Sequence, residues 1–356
     1  MSIDNFRKEI DQIDNQIIEL LNKRVNFAQK IGEIKKEKKL PIYVPERERA
    51  IYDKIASVNQ GPMPTSAIQN IFREIISCSR DLERPLRISY LGPAGTYTHQ
   101  ASLYHFGSAT EQINCGSIRD VFVEVEKYKA DYGIVPIENS YNGVVFQTLD
   151  AFLDFDLKII AEIYLRIRHS LLSNEKDLSR IKKIYSHPQS FEQCRVFLNS
   201  QLSHAQKIEV VSNSQAALMA SGESGAAAIA SHINADLYNL KIAAGDIEDA
   251  PDNYTRFVVL GKESPGKALH NKTSLIFSIV DRPGALSDVL KVFSSRAINL
   301  TKIESRPSKR KAWDYVFFID MEGHREEQKI QEAIENIKDF SLFHKILGSY
   351  ARGEIV

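Results

Sequence analysis

Four short polar clusters hold many of the residues that could do chemistry: GPAGTYTHQA (92–101), PIENSYNGVV (136–145), SHPQSFEQC (186–194) and NYTRF (253–257). Each stands at the end of a strand-like apolar run. Singly they read as turn chemistry, since Gly and Pro set turn backbones and Ser, Thr and Asn cap helices. Together they make a hydrogen-bonding edge for a cleft, because ligands of open α/β sheets bind beyond the carboxyl ends of strands. A second group is cationic. Arg24 fills an apolar slot between Leu20 and Phe27. Lys35 lies eleven residues on, roughly 20° away around a helix, and Arg7 is about 100° off that line. Phe72, Ile76, Ser79 and Glu83 share a face whose last two members are polar. One such residue can snorkel or mark a fraying stripe; several converging cations suit a buried anion.

Three segments of different periodicity must position these groups. Up to about Pro85 the pattern is helical, with Phe6, Ile10, Ile13, Ile17, Leu20, Phe27, Ile31 and Ile34 at alternating spacings of three and four. That stripe predicts a helix of about thirty residues, on the order of 45 Å long, too long for the segment's shorter helices to cover. A partner chain is the expectation. Lys39-Leu40-Pro41 ends this helix, a second starts at Pro45, and a third runs to about Glu83 with Thr65 or Ser66 as N-cap. From Arg87 to about Gly261, strand, turn and helix alternate in two α/β lobes, with strands at Arg87–Leu91, Tyr132–Val135, Lys183–Tyr185, Ala226–Ala230 and Phe257–Leu260. After the linker KESPGKALHNK (262–272) the order is strand 273–280, helix 284–296, strands 298–305 and 312–320, helix 325–337 and strand 341–348. That βαββαβ order is ferredoxin-like.

Composition excludes other classes. The 356 residues allow two or three domains. Forty-six basic residues balance forty-six acidic ones, so nothing points to nucleic acid or an anionic membrane. No apolar run approaches the roughly eighteen residues of a membrane span. MSIDNFRKEI is too polar for a secretory signal. Cys78, Cys115 and Cys194 have no metal or disulfide spacing and fit a reduced, cytoplasmic compartment. SGESGAAAIA lacks the lysine of a phosphate loop.

The helical segment resembles the all-helical chorismate mutase domain, an intertwined dimer, through RKEIDQID, NKR, GEIKK and PERER. The resemblance implies that Arg7 (reaching across the dimer), Arg24 and Arg47 hold the carboxylates of chorismate. It gives the substrate hydroxyl to Glu48, the ether oxygen to Lys35, and a further contact to Ser79. Two positions depart from the pattern: Val44 replaces an acidic residue, and Glu83 replaces a glutamine that donates to the ether oxygen. A carboxyl donates only when protonated.

PIENS, SHPQ and TRF together resemble prephenate dehydratase, a two-lobed fold similar to periplasmic binding proteins. The resemblance implies loss of carbon dioxide and water from prephenate, leaving phenylpyruvate, with no cofactor and no metal. It puts Thr255 nearest the departing hydroxyl, Glu138, Asn139 and Gln189 beside it, and Arg256 or the 94–98 turn on a carboxylate. RPGALSDVL and the ESRP stretch resemble an ACT domain of the phenylalanine-binding kind. Gly284, Ala285, Leu286, Glu304, Ser305 and Arg306 are the implied contacts at an interface between two such domains. The expected organisation is 1–85 mutase, 86–262 dehydratase and 272–356 ACT, in a homodimer or larger homo-oligomer inhibited by phenylalanine. The combination resembles the bifunctional chorismate mutase–prephenate dehydratases. Two alternatives are an arogenate preference and a non-catalytic amino-acid sensor.

Overall fold

The computed structural model describes residues 2–38, 40–279, 282–307 and 315–353. The chain divides into two compact units, Met1–Arg87 with His105–Glu111, and Ile88–Tyr104 with Gln112–Val356.

In the first unit, α1 (Ile3–Lys38), α2 (Pro45–Val58) and α3 (Thr65–Glu83) form in the expected order. Helix α1 has 36 residues, about 54 Å at 1.5 Å per residue. Lys39 lies outside the described residues. The apolar stripe of α1 is bare: Phe6, Ile10, Ile13, Ile17, Leu20, Phe27, Ile31 and Ile34 are all exposed, and no residue of the helix is buried. The expected cap of α3 is corrected. Pro64 is the N-cap and no side chain caps the helix; a proline before the first turn already favours an extended backbone there.

The second unit begins with β1 (Arg87–Leu91), α4 (Tyr97–Phe106), β2 (Glu111–Cys115), α5 (Ile118–Glu126), β3 (Tyr132–Asn139), β4 (Gly143–Val144), α6 (Phe146–Asp154) and β5 (Lys158–Arg166). The second lobe follows: β6 (Ser170–Ser173), β7 (Lys183–Ser186), α7 (Pro188–Gln193), α8 (Arg195–Gln201), β8 (Gln206–Glu209), α9 (Asn213–Ser221), β9 (Ala226–Ala230), α10 (Ile233–Tyr238) and β10 (Lys241–Ala244). The chain then returns through β11 (Tyr254–Gly261) to the first sheet, ordered β2-β1-β3-β11-β5 with β4 on β3. The second sheet is β10-β6-β9-β7-β8.

The remainder is β12 (Asn271–Ile279), α11 (Ala285–Ser294), β13 (Leu300–Pro307), β14 (Tyr315–Glu322), α12 (Gln328–Ile337) and β15 (Ser341–Ala351), a four-stranded sheet ordered β13-β14-β12-β15. This is the expected βαββαβ unit. Residues 280 and 312–314 of the expected strands, and Asp281 of the turn, lie outside the described residues. One apolar core joins this sheet to the first lobe. Phe122, Phe152, Val258 and Leu260 share it with Ile276, Val316, Phe318, Leu347 and Tyr350.

One boundary matters for chemistry. Asn253-Tyr254-Thr255-Arg256 reads as a polar head before a strand, yet β11 already starts at Tyr254. Likewise β3 runs on to Asn139. Polar side chains here are strand residues and obey strand alternation.

Candidate active sites

Helix geometry gathers the first site. Arg24 donates from Nη1 to Ser79 Oγ at 2.9 Å, which ties α1 to α3. Lys35 Nζ donates to the Ile42 carbonyl at 2.7 Å and lies 3.9 Å from Glu83 Oε2. Gly32 makes room for Glu83: a Cβ there would come within 2.7 Å of Glu83 Cγ. Glu83 Oε2 is buried with no hydrogen-bond partner among the described residues. Burial raises the Glu83 pKa, against the pull of Lys35 and Arg80. Burial likewise raises Glu48, against Arg80, Lys35 and Arg24. Arg24, Lys35, Glu48, Ser79 and Glu83 thus form one cluster.

Among the described residues no hydrogen bond or ion pair ties Arg7 or Arg47 to that cluster. Arg47 is exposed. Arg7 is exposed beside Asp4 at 3.6 Å and lies about 26 Å along the helix from Arg24. It therefore cannot serve the site of its own chain. Arg80 was missed. It is buried, pairs with Glu48 at 2.9 Å and donates to the Phe106 carbonyl at 2.5 Å. The signal was its position, four residues after Ile76 on the apolar stripe of α3.

The second site is a cleft of about 430 Å³ between the two lobes. Thr255, Asn139 and Asn253 line it with residues from the starts of α4, α6, α7 and α9. Asn139 Oδ1 accepts the backbone N–H groups of Tyr141 and Asn142, at 3.1 and 3.0 Å. Those two donors fix the carboxamide orientation. Its NH₂ therefore points to Thr255 Oγ1 at 2.9 Å and Asn253 Oδ1 at 2.8 Å. Thr255 Oγ1 accepts from Asn139, and Thr255 lines the cleft. Gln189 lines the cleft at the start of α7.

Glu138 and Arg256 require correction. In register, Thr255 opposes Asn139 while Arg256 opposes Glu138, and alternation sends the second pair to the other face of the sheet. Neither lines the cleft. Arg256 is buried, with Nη1 on Asp320 at 2.5 Å and Nε 2.8 Å from Glu162. Glu138 pairs with Lys302 at 2.7 Å.

No Arg, Lys, Asp or Glu is among the described residues lining the cleft. The wall mixes polar side chains with the apolar Leu91, Val144, Val145, Ile167 and Val211, and is backed by the first turns of α4, α6 and α9, where N–H groups lack intrahelical acceptors and carry partial positive charge. His169, buried in the wall, has its pKa lowered by burial, with Gln193 and Glu248 acting the other way. Its ring nitrogens lie 2.9 Å from the Tyr97 hydroxyl and 2.8 Å from Gln193 Oε1. His169 and the Ser212-Asn213-Ser214 turn were missed. The latter had a signal, a polar turn between a strand and a helix like the four clusters singled out.

In the βαββαβ unit, Gly284 takes a left-handed φ of 82° just before α11, a conformation that suits glycine. Ala285 is buried, and partly buried Leu286 packs on that unit's core. Glu304 and Ser305 are on edge strand β13. Arg306 makes a bidentate pair with Asp150 of α6 and lies over the Phe146 ring. Its guanidinium is therefore engaged with α6.

Fold and cleft define the class: a two-lobed α/β domain for a small polar ligand, with a helical unit before it in sequence and a ferredoxin-like unit after it. Family models match as chorismate mutase type II over residues 6–84, prephenate dehydratase over 88–265 and ACT domain over 273–339. A bifunctional chorismate mutase/prephenate dehydratase of Aquifex aeolicus is 48% identical over 98% of this chain and 97% of its own. One from Neisseria gonorrhoeae is 43% identical over 97% and 95%. A solved prephenate dehydratase of Arthrobacter aurescens, in complex with L-Phe, aligns with TM-score 0.70 and 33% identity over 75% of this chain and 90% of its own. This chain belongs to the bifunctional chorismate mutase/prephenate dehydratases. It is an isomerase and a lyase of phenylalanine biosynthesis. Among the described residues no helix is long and apolar enough to cross a membrane.

Proposed function

We propose that prephenate binds in the two-lobed cleft with its ring hydroxyl at Thr255. The observation that carries this reading is the oriented Asn139–Thr255 pair on the cleft wall. With no arginine or lysine among the described residues of the wall, the substrate carboxylates are held by the first-turn N–H groups of α4 and α9. As the ring carboxylate leaves as carbon dioxide, its bonding electrons enter the ring. The hydroxyl departs as water, hydrogen-bonded by Thr255, and takes up one proton. Asn139 and Gln189 position these groups.

Chorismate is assigned to the Arg24, Lys35, Glu48, Ser79 and Glu83 cluster. Arg47 and the Arg7 of a second copy of the chain meet its carboxylates. The bare stripe of α1 supports this homodimer. Lys35 and a protonated Glu83 donate to the ether oxygen as negative charge develops there. Burial keeps Glu83 protonated to higher pH, and the proton is lost as pH rises through its folded-state pKa. Mutase turnover therefore falls with rising pH, and Glu83→Gln, which always donates, flattens the profile. A pH–rate series on both chains is the check; an unchanged slope in the variant removes Glu83 from this role.

Phenylalanine is assigned to the Gly284, Ala285, Leu286, Glu304 and Ser305 region where two ACT domains meet, with β13 as the available edge. A coupling of about 1–3 kcal/mol, roughly 5–150-fold, is expected, and it is reciprocal. Equilibrium dialysis should show saturable phenylalanine binding that prephenate weakens by the factor with which phenylalanine weakens prephenate. Binding without that reciprocity would rule out a coupling through prephenate affinity. We place the enzyme in the cytoplasm.

A further inference from the structure

The face of β11 opposite the cleft carries a closed charge network with the ACT sheet. Arg256 meets Asp320 of β14, Glu162 of β5 and, through Nη2, the Tyr350 hydroxyl of β15 at 2.9 Å. Lys272 of β12 reaches Glu162 Oε2 at 2.8 Å and the Tyr164 hydroxyl at 3.0 Å. Ser274 donates to Asp320 Oδ1 at 2.5 Å and lies 2.6 Å from the Tyr350 hydroxyl. Lys302 of β13 pairs with Glu138. The cations Arg256, Lys272 and Lys302 thus meet the anions Glu138, Glu162 and Asp320 one for one. Arg256, Lys272, Glu162 and Asp320 are buried.

Such a network is a poor way to gain stability. Removing charges from water is costly, and apolar replacements of similar volume often do as well. Its distinctive property is directional: guanidinium and carboxylate pair in few geometries, so the network fixes one register between two sheets. The strand it grips is the one that carries Thr255, the residue just before Arg256. Arg256 also opposes Glu138 in register, next to the Thr255–Asn139 pair.

We propose that Arg256 is a positioning residue for the dehydratase reaction, holding the Thr255 end of β11 against the ACT sheet through Asp320 and Tyr350. The placement of the regulatory domain is thereby transmitted to the reacting hydroxyl along a single strand. This rests on the assignment of Thr255 above. It replaces a substrate-binding role for Arg256, and it makes a residue of the regulatory domain, Asp320, necessary for full dehydratase turnover without phenylalanine.

The test is dehydratase kcat and KM for prephenate in the full chain, with mutase rate as a control for folding. The variants are Asp320→Asn, Arg256→Met, both together, and Tyr350→Phe. Asp320→Asn should lower kcat about tenfold or more, because small misplacements of a reacting group are costly. KM should change less than threefold. The double variant should be no worse than Arg256→Met, since both changes cut one link. Inhibition by phenylalanine should weaken in each. If Arg256 instead bound a carboxylate, its variant would raise KM more than tenfold while Asp320→Asn left kcat unchanged; that pattern overturns the proposal. Where Asp320→Asn loses mutase as well, Tyr350→Phe decides. It removes hydrogen bonds without disturbing the charge balance, and an unchanged kcat there overturns the proposal too. Failure of the Thr255 assignment is separately visible, as dehydratase activity surviving Thr255→Ala.

Discussion

Thr255→Ala lowers dehydratase kcat by about 10²–10³-fold, the loss typical of a preorganised donor at a developing charge. KM for prephenate and the mutase rate stay near wild type. The threonine hydroxyl is placed by three features together. Alternation turns it toward the cleft, Asn139 donates to its oxygen, and two backbone N–H groups prevent Asn139 from flipping. The carboxylates are assigned to helix starts elsewhere in the cleft, so truncating Thr255 removes an interaction of the transition state and little ground-state binding. Steady-state kinetics with prephenate is the measurement. Retained dehydratase turnover would refute the assignment.

Lys35→Met lowers mutase turnover by a comparable factor of about 10²–10³ and leaves the dehydratase rate alone. Methionine keeps the unbranched stem, so packing is disturbed little. The ammonium donates to the Ile42 carbonyl and faces Glu83, which sets it where an ether oxygen can share both donors. The pH profile supplies a second reading. Lys35 lowers the Glu83 pKa against the effect of burial. Without it that pKa rises further, so the residual activity should decline at higher pH than in wild type. A wild-type rate, or a decline moved to lower pH, would contradict the arrangement.

The fold was legible wherever one face of an element is apolar. The α1 stripe predicted a long helix with an uncovered side, and the βαββαβ order followed from strand and helix periods. Thr255 and Asn139 were legible as members of polar strand ends. Their neighbours Arg256 and Glu138 were misread for a local reason. Taken as a loop before a strand, NYTRF allows every side chain to reach the ligand. As part of β11, adjacent residues must face opposite ways, and only one of each pair can. Arg80 stayed hidden because a buried cation in an apolar stripe looks like an exposed one until its carboxylate partner, here Glu48 of another helix, is known. The absence of arginine and lysine from the described wall of the cleft could not be read at all, since it depends on which helix starts converge from two lobes.

Two chemically independent sites on one chain can be separated by a single substitution. The measurement supplies chorismate to the purified Thr255→Ala chain and identifies the products over time. Chorismate should disappear at the wild-type rate while prephenate accumulates in equal amount. Phenylpyruvate formed at the wild-type rate, or chorismate left unconsumed, would contradict the account.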